Sequence, residues 1–114
     1  MPIDRKLMTS SSDMLVLKLL ETEDMYGYQM IDELRGRSKN VFDMKAGTLY
    51  PLLHQLEQKG YVSSYEESAG EARVRKYYHL TDKGRRYLIQ REQDWKEFST
   101  AVGSVLGGVS CALV

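Results

Sequence analysis

A mainly α fold with one small β-hairpin and a long last helix is predicted by three observations. The run Gly47–Val62 places Leu49, Leu52, Leu53 and Leu56 at i, i+3, i+4 and i+7, the spacing of one apolar helix stripe. The run Arg73–Thr81 alternates as a basic, aromatic strand, with Arg73, Arg75, Tyr77 and His79 on one face and Val74, Lys76, Tyr78 and Leu80 on the other. Beyond Thr81, Leu88, Trp95, Phe98, Val102 and Val105 recur at a and d positions of a heptad, with Arg91 in the intervening d.

The elements follow in order. Ser10-Ser11-Ser12-Asp13 offers several N-caps, because short oxygen-bearing side chains accept from the free N–H groups of a first turn. The nearly all-apolar Met14–Leu20 after it predicts a first helix buried on most sides. A second helix is expected from Gly27 to about Arg37, with Tyr28, Met30, Ile31 and Leu34 facing inward. The third starts near Ala46–Thr48, tolerates Pro51 by its closeness to the first turn, and stops at Lys59-Gly60. Tyr61–Glu67 alternates weakly, and Ser68–Glu71 is a polar connector with a glycine, so this segment and the basic strand make a hairpin. Thr81 is an N-cap and Asp82 suits the positive end of a helix running to about Leu106. The glycine-broken tail Gly107–Val114 should fray.

Length and composition confine the chain to one domain with a core and one appended element: 114 residues, 42% hydrophobic and 28% charged. Met1–Lys6 leads into no apolar run of the kind a secretory signal needs, and no stretch reads as a membrane span. The single Cys111 gives one chain no internal disulfide and no multi-cysteine metal site, and reads as a small tail residue. These features fit a reducing cytoplasm. Net charge is zero, but its distribution is uneven. Residues 1–71 carry 8 Lys and Arg against 12 Asp and Glu, whereas residues 72–91 carry 7 against one. Such a local basic patch is what phosphate binding requires, although a charge run alone is more often a solvated face.

Three helices followed by a basic hairpin are a winged helix-turn-helix. The predicted division is a winged-helix DNA-binding domain over 1–80 and a dimerisation helix and tail over 81–114. The leucine stripe anchors the third helix, and its other side is then free for a major groove about 12 Å wide. That side carries Gly47, Thr48, Tyr50, Pro51, His54 and Gln55, with Lys45 just before it. On the wing, Arg73, Arg75 and Lys76 supply charge and Tyr77 a hydroxyl. A heptad stripe with little chain left to cover it calls for a second subunit, so Leu88, Trp95, Phe98, Val102 and Val105 are the expected dimer interface. His54 and His79 lack the companion ligands a zinc site needs, and there is no glycine-rich phosphate loop or nucleophile elbow. No catalytic residue, metal or cofactor is therefore expected.

The two blocks Gly47-Thr48-Leu49-Tyr50-Pro51-Leu52-Leu53, Leu56-Glu57, Gly60-Tyr61-Val62 and Arg75-Lys76-Tyr77-Tyr78, Leu80-Thr81, Gly84 resemble the PadR family of bacterial transcriptional regulators. Tyr26-Gly27-Tyr28 is similar too, so the resemblance covers roughly residues 10–90. The short C-terminus is similar to the small subfamily with one dimerisation helix. The resemblance implies dimeric winged-helix repressors that bind inverted repeats and are released by small molecules. In some members flat aromatic compounds bind around a Trp at the dimer interface. Trp95 stands at that place, Asp13, Met14 and Leu17 match the pocket on the first helix, and Phe98 and Ser99 complete the implied effector set. The wing tip departs from the family, reading Gly70-Glu71-Ala72-Arg73-Val74 without the richer Gly/Arg/Pro tip. Glu66, Glu67 and Glu71 would repel phosphate there. The alternative reading is a winged helix used for protein–protein assembly without sequence-specific DNA binding.

Overall fold

The serine run does not begin the first helix; it continues it. A computed structural model describes residues 5–108, and its first element is α1, Arg5–Thr22. Ser10 Oγ donates to the Leu7 carbonyl at 3.0 Å and Ser12 Oγ to that of Met8 at 2.6 Å. Hydroxyls satisfied one turn back let serine sit inside a helix instead of capping it. Cys111 and the end of the predicted tail lie outside the described residues.

A two-residue strand β1, Met25–Tyr26, follows, then α2, Gly27–Arg37, and α3, Ala46–Gln58. The hairpin is β2, Val62–Ser68, and β3, Val74–Leu80, and the last element is α4, Asp82–Val105. The sheet has three strands in the order β1-β3-β2, where the sequence predicts only the hairpin. Antiparallel pairing sets Met25 against Tyr78 and Tyr26 against Tyr77, and on the other edge Val62 against Leu80. Two residues are too few for a period-2 pattern to show, so β1 exists only through its pairing with β3.

The core is built from every helix and the inner sheet face: Leu17, Met25, Met30, Leu49, Leu53, Leu80 and Leu88 are all fully buried. Two expectations change here. Tyr28 is 63% exposed, because Gly27, Met30, Ile31 and Leu34 form the buried i, i+3, i+4, i+7 row of α2 and glycine takes its first inward place. Leu88 has no exposed surface, so it belongs to the chain's own core and not to a face open to a partner.

Pro51 is the sixth residue of α3, just past the first turn. Its ring displaces the hydrogen bond to the Gly47 carbonyl four residues back, on the exposed side where water can replace it. Gly60, at φ +81°, ends the helix in the left-handed region. Thr81 caps α4 by accepting from the Gly84 N–H at 3.0 Å while donating to the Gly60 carbonyl at 2.6 Å. One hydroxyl therefore joins the end of α3 to the start of α4.

Candidate nucleic-acid interface

The burial of α3 divides along its length as an amphipathic helix requires. Leu49, Leu53 and Leu56 are buried, while Gly47, Thr48, Tyr50, Pro51, His54 and Gln55 are all exposed, as is Lys45 ahead of them. Glu57 on the same helix accepts from Ser64 of β2 at 2.6 Å, fixing helix and wing to each other. Two of the exposed residues already have partners. Lys45 Nζ lies 2.8 Å from Asp43, which also pairs with Arg35 at 2.9 Å. These hydrogen bonds, from Lys45 first and then Arg35, hold the Asp43 carboxyl below the usual carboxylate range. The pair is in water and worth little, so a phosphate can take Lys45 from it.

Tyr50 is drawn back onto α2. A Cβ at Gly27 would overlap its hydroxyl, so the ring occupies the space that glycine leaves. Burial, with Tyr28 and Tyr78 nearby, pushes the Tyr50 hydroxyl above its ordinary value. This residue both packs α3 on α2 and, at 40% exposure, keeps an open edge.

Alternation sends the wing's two central cations to opposite faces. Arg75 is half-buried on the outer face with its guanidinium 4.4 Å from the Tyr26 ring centre. Tyr26 meets Tyr77 edge-on at 5.4 Å, and Tyr77 stacks on Tyr65 at 5.7 Å. The ladder ends where Tyr65 donates to Asp24 at 2.7 Å, with His79 Nδ1 at 2.8 Å from the same carboxylate. The bond to Asp24 pushes the Tyr65 hydroxyl up to about 12, and the Tyr65 and His79 contacts outweigh burial to hold Asp24 below its ordinary value. Tyr77 thus stands in the middle of an aromatic ladder, which the sequence could not show because Tyr26 reaches it across a two-residue strand. Lys76 is exposed on the face it shares with Tyr78 and Leu80, its Nζ 5.6 Å from the Tyr78 ring centre. Arg73 is exposed at the tip, where Gly70 and Ala72 turn with φ +115° and +53°.

The expected effector residues are distributed unevenly. Leu17, Met14 and Ser99 are buried within the chain, Trp95 packs partly against the core, and Phe98 is 67% exposed. Asp13 is engaged: its carboxylate accepts from Arg91 at 3.0 Å, from the Met14 N–H at 2.7 Å and from the Tyr87 hydroxyl. Tyr87 in turn stacks on Tyr61, between α3 and the wing, at 4.2 Å and 11°. On α4 beyond Trp95, Phe98, Val105 and Leu106 are exposed and Val102 half-buried. Two concavities flank α1 and α3. One of about 690 Å³ reaches from Arg5 and Met8 to Lys45 and Thr48 and holds none of the effector set; one of about 320 Å³ includes Asp13, Gln55, Tyr61 and Tyr87. Among the described residues no three His, Cys, Asp or Glu are grouped as a metal would need, and no helix is long and apolar enough to cross a membrane.

Residues 16–90 match the model of the "Transcriptional regulator PadR-like family". The chain is 33% identical over 87 residues to the transcriptional regulator Rv3488 of Mycobacterium tuberculosis, covering 76% of this chain and 75% of that one. Its fold is similar to the crystal structure of a PadR family transcriptional regulator from Eggerthella lenta, with a TM-score of 0.80, 35% identity and coverage of 90% and 87%. It is also similar to a transcriptional regulator from Clostridium thermocellum, with a TM-score of 0.81, 28% identity and coverage of 87% and 96%.

Proposed function

The chain belongs to the PadR-like family of transcriptional regulators, DNA-binding proteins with this winged-helix fold, and from that membership we propose how it works. It is a cytoplasmic homodimeric repressor whose two α3 helices enter successive major grooves of an inverted-repeat operator. A small planar aromatic effector at the dimer interface releases it. The observation that carries the DNA reading is the exposed, polar side of α3 over a leucine stripe with no exposed surface at Leu53. Two-fold symmetric partners must present recognition helices about 34 Å apart, one helical turn of DNA. Residues 1–80 serve as the DNA-binding part, while Trp95, Phe98, Val102 and Val105 on α4 make the partner contact.

Release follows from population shift. An effector that binds better to a dimer with the wrong α3 spacing draws the protein out of the operator-competent state by its difference in affinity for the two. Trp95, partly buried next to exposed Phe98, is the platform for such a compound. A panel of planar aromatic compounds should quench or shift its emission; unchanged emission across the panel would remove the effector from the proposal.

Gel shifts against the chain's own upstream region, at two salt concentrations, test the DNA reading. Arg75→Ala with Lys76→Ala should abolish the shift at moderate salt, lower the log–log salt slope by about one per lost phosphate contact, and leave the dimer intact. Retained DNA binding with loss of a protein partner would instead favour the assembly-module reading. Dimerisation has its own check. Phe98→Glu with Val105→Glu places charge in the apolar strip and should yield a monomer in light scattering with its helix content unchanged, since both residues are exposed in the single chain. A dimer surviving both changes would move the interface elsewhere.

A further inference from the structure

Tyr28 is the residue of the Tyr26-Gly27-Tyr28 segment to which the fold gives no packing role, and it stands next to a glycine that touches a second phenol, Tyr50. It is 63% exposed in the first turn of α2, while the row it would otherwise join is buried. Next to it, Gly27 touches Tyr50 of α3, and Tyr28 is close enough to raise the Tyr50 hydroxyl. Lys76 Nζ lies 5.6 Å from the centre of the Tyr78 ring. The sheet register agrees: β1 pairs Met25 with Tyr78 and Tyr26 with Tyr77, so its continuation brings Gly27 beside Lys76. Gly27 is thus flanked by two phenols and one ammonium from three different elements: Tyr28 next in sequence, Tyr50 in contact and Lys76 by register. The cross-strand neighbour of Lys76 is Glu66, yet among the described residues Lys76 makes no ion pair.

We propose that Tyr28, Tyr50 and Lys76 together grip one phosphodiester of the DNA backbone flanking the groove that α3 enters, with Tyr28 as a positioning contact from α2. Donors that find no acceptor among the described residues, together with one positive charge, fit a phosphate's oxygens, and the edge borders the exposed side of α3. The contact carries no sequence information; it fixes the depth and register of α3 on the duplex. The inference rests on the DNA reading above, and its test separates the two.

The probes are a duplex from the chain's own upstream region and a random-sequence duplex of equal length, followed by anisotropy at several salt concentrations. Tyr28→Phe should weaken both about fivefold, since a neutral hydroxyl's bond to a charged oxygen is lost. Its salt slope should stay at the wild-type value, because a phenol releases no counterion, and its Tm should not move. Lys76→Ala should weaken binding and lower the slope by about one. Because both act on one phosphate, the double variant should lose much less than the product of the single losses. Tyr28→Phe binding as tightly as wild type, or single losses that multiply fully, overturns the shared grip while leaving DNA binding in place. A wild-type chain that binds neither duplex at low salt overturns both.

Discussion

Gly84→Val should cost about 3 kcal/mol of stability and lower Tm by on the order of 10 °C, by overpacking a junction that has no room to relax. Gly84 lies in the first turn of α4, where a Cβ would overlap the Tyr61 carbonyl and come within 2.8 Å of Leu80 Cδ1. The carbonyl cannot turn aside freely, since it accepts from the Thr81 N–H at 3.2 Å. Leu80 cannot either, being 2% exposed. Relief would have to come from α4 lifting off the α3–β2 joint, which breaks the Thr81 cap at the Gly84 N–H as well. A lost cap adds about 1 kcal/mol to the overlap. Gly36→Ala is the control. Nothing lies within 4 Å of its Cβ and it is exposed near the end of α2, so alanine should stabilise by roughly 0.5 kcal/mol through lower backbone entropy in the unfolded chain. Thermal unfolding by circular dichroism checks both, and a Gly84→Val chain melting with the wild type would mean that this junction is not tight.

What was legible beforehand divides along the range of the interactions. The leucine stripe of α3, the stop at Gly60, the Thr81 cap and the extent of α4 are written in residues a few positions apart, and local spacing reveals them. The start of α1 misled because Ser10–Ser12 has two local uses, capping and back-bonding, and the apolar residues before it, Leu7 and Met8, already extend the helix. Leu88 fits a heptad as well as it fits a core. Which of these it serves is decided by burial against other elements, not by the period within α4.

The candidate interface shows the same division. Alternation alone places Arg75 and Lys76 on opposite faces of the wing. That Arg75 rests on Tyr26, however, depends on a pairing between segments some fifty residues apart, and so does the Tyr26 end of the ladder, whereas its Tyr77–Tyr65 rung lies within the hairpin itself. The exposed side of α3 could be named in advance; the partners that modify it, Asp43 for Lys45 and Gly27 for Tyr50, could not. The Asp13 network spans 74 residues to Tyr87 and 78 to Arg91, far beyond any periodicity.

That network is where the second large effect should appear. Asp13→Ala should cost about 2–3 kcal/mol, because it leaves the Arg91 guanidinium with only the Ser10 carbonyl, at 2.8 Å, and the Tyr87 hydroxyl without its acceptor. The side chains of Arg91 and Asp13 are 23% and 25% exposed, too enclosed for water to replace the lost partner fully. The dependence on pH has a definite sign at each end. Burial alone would raise the Asp13 carboxyl, but the bonds from Arg91, Tyr87 and Met14 outweigh it and hold the folded value below the ordinary 3.8. A carboxyl depressed by folding contributes its full stability above about pH 4 and loses it as pH falls through the lower folded value. Tyr87 behaves in the opposite way: burial first, and then the bond to Asp13, push its hydroxyl from 10 up to about 12. Its contribution is complete below pH 10 and disappears as pH rises toward 12, when two anions would face each other. Urea midpoints at pH 7 and pH 11 separate the parts. Tyr87→Phe keeps the ring against Tyr61 and should show a shallower loss between the two pH values than the wild type, with a remainder from Tyr65, also at about 12. Identical alkaline losses in the two proteins would show that Tyr87 does not hold Asp13 in solution. A shallower loss makes Asp13 the tie from α1 through the Tyr87–Tyr61 stack to the joint between α3 and the wing, so a compound contacting Asp13 would pull directly on that joint.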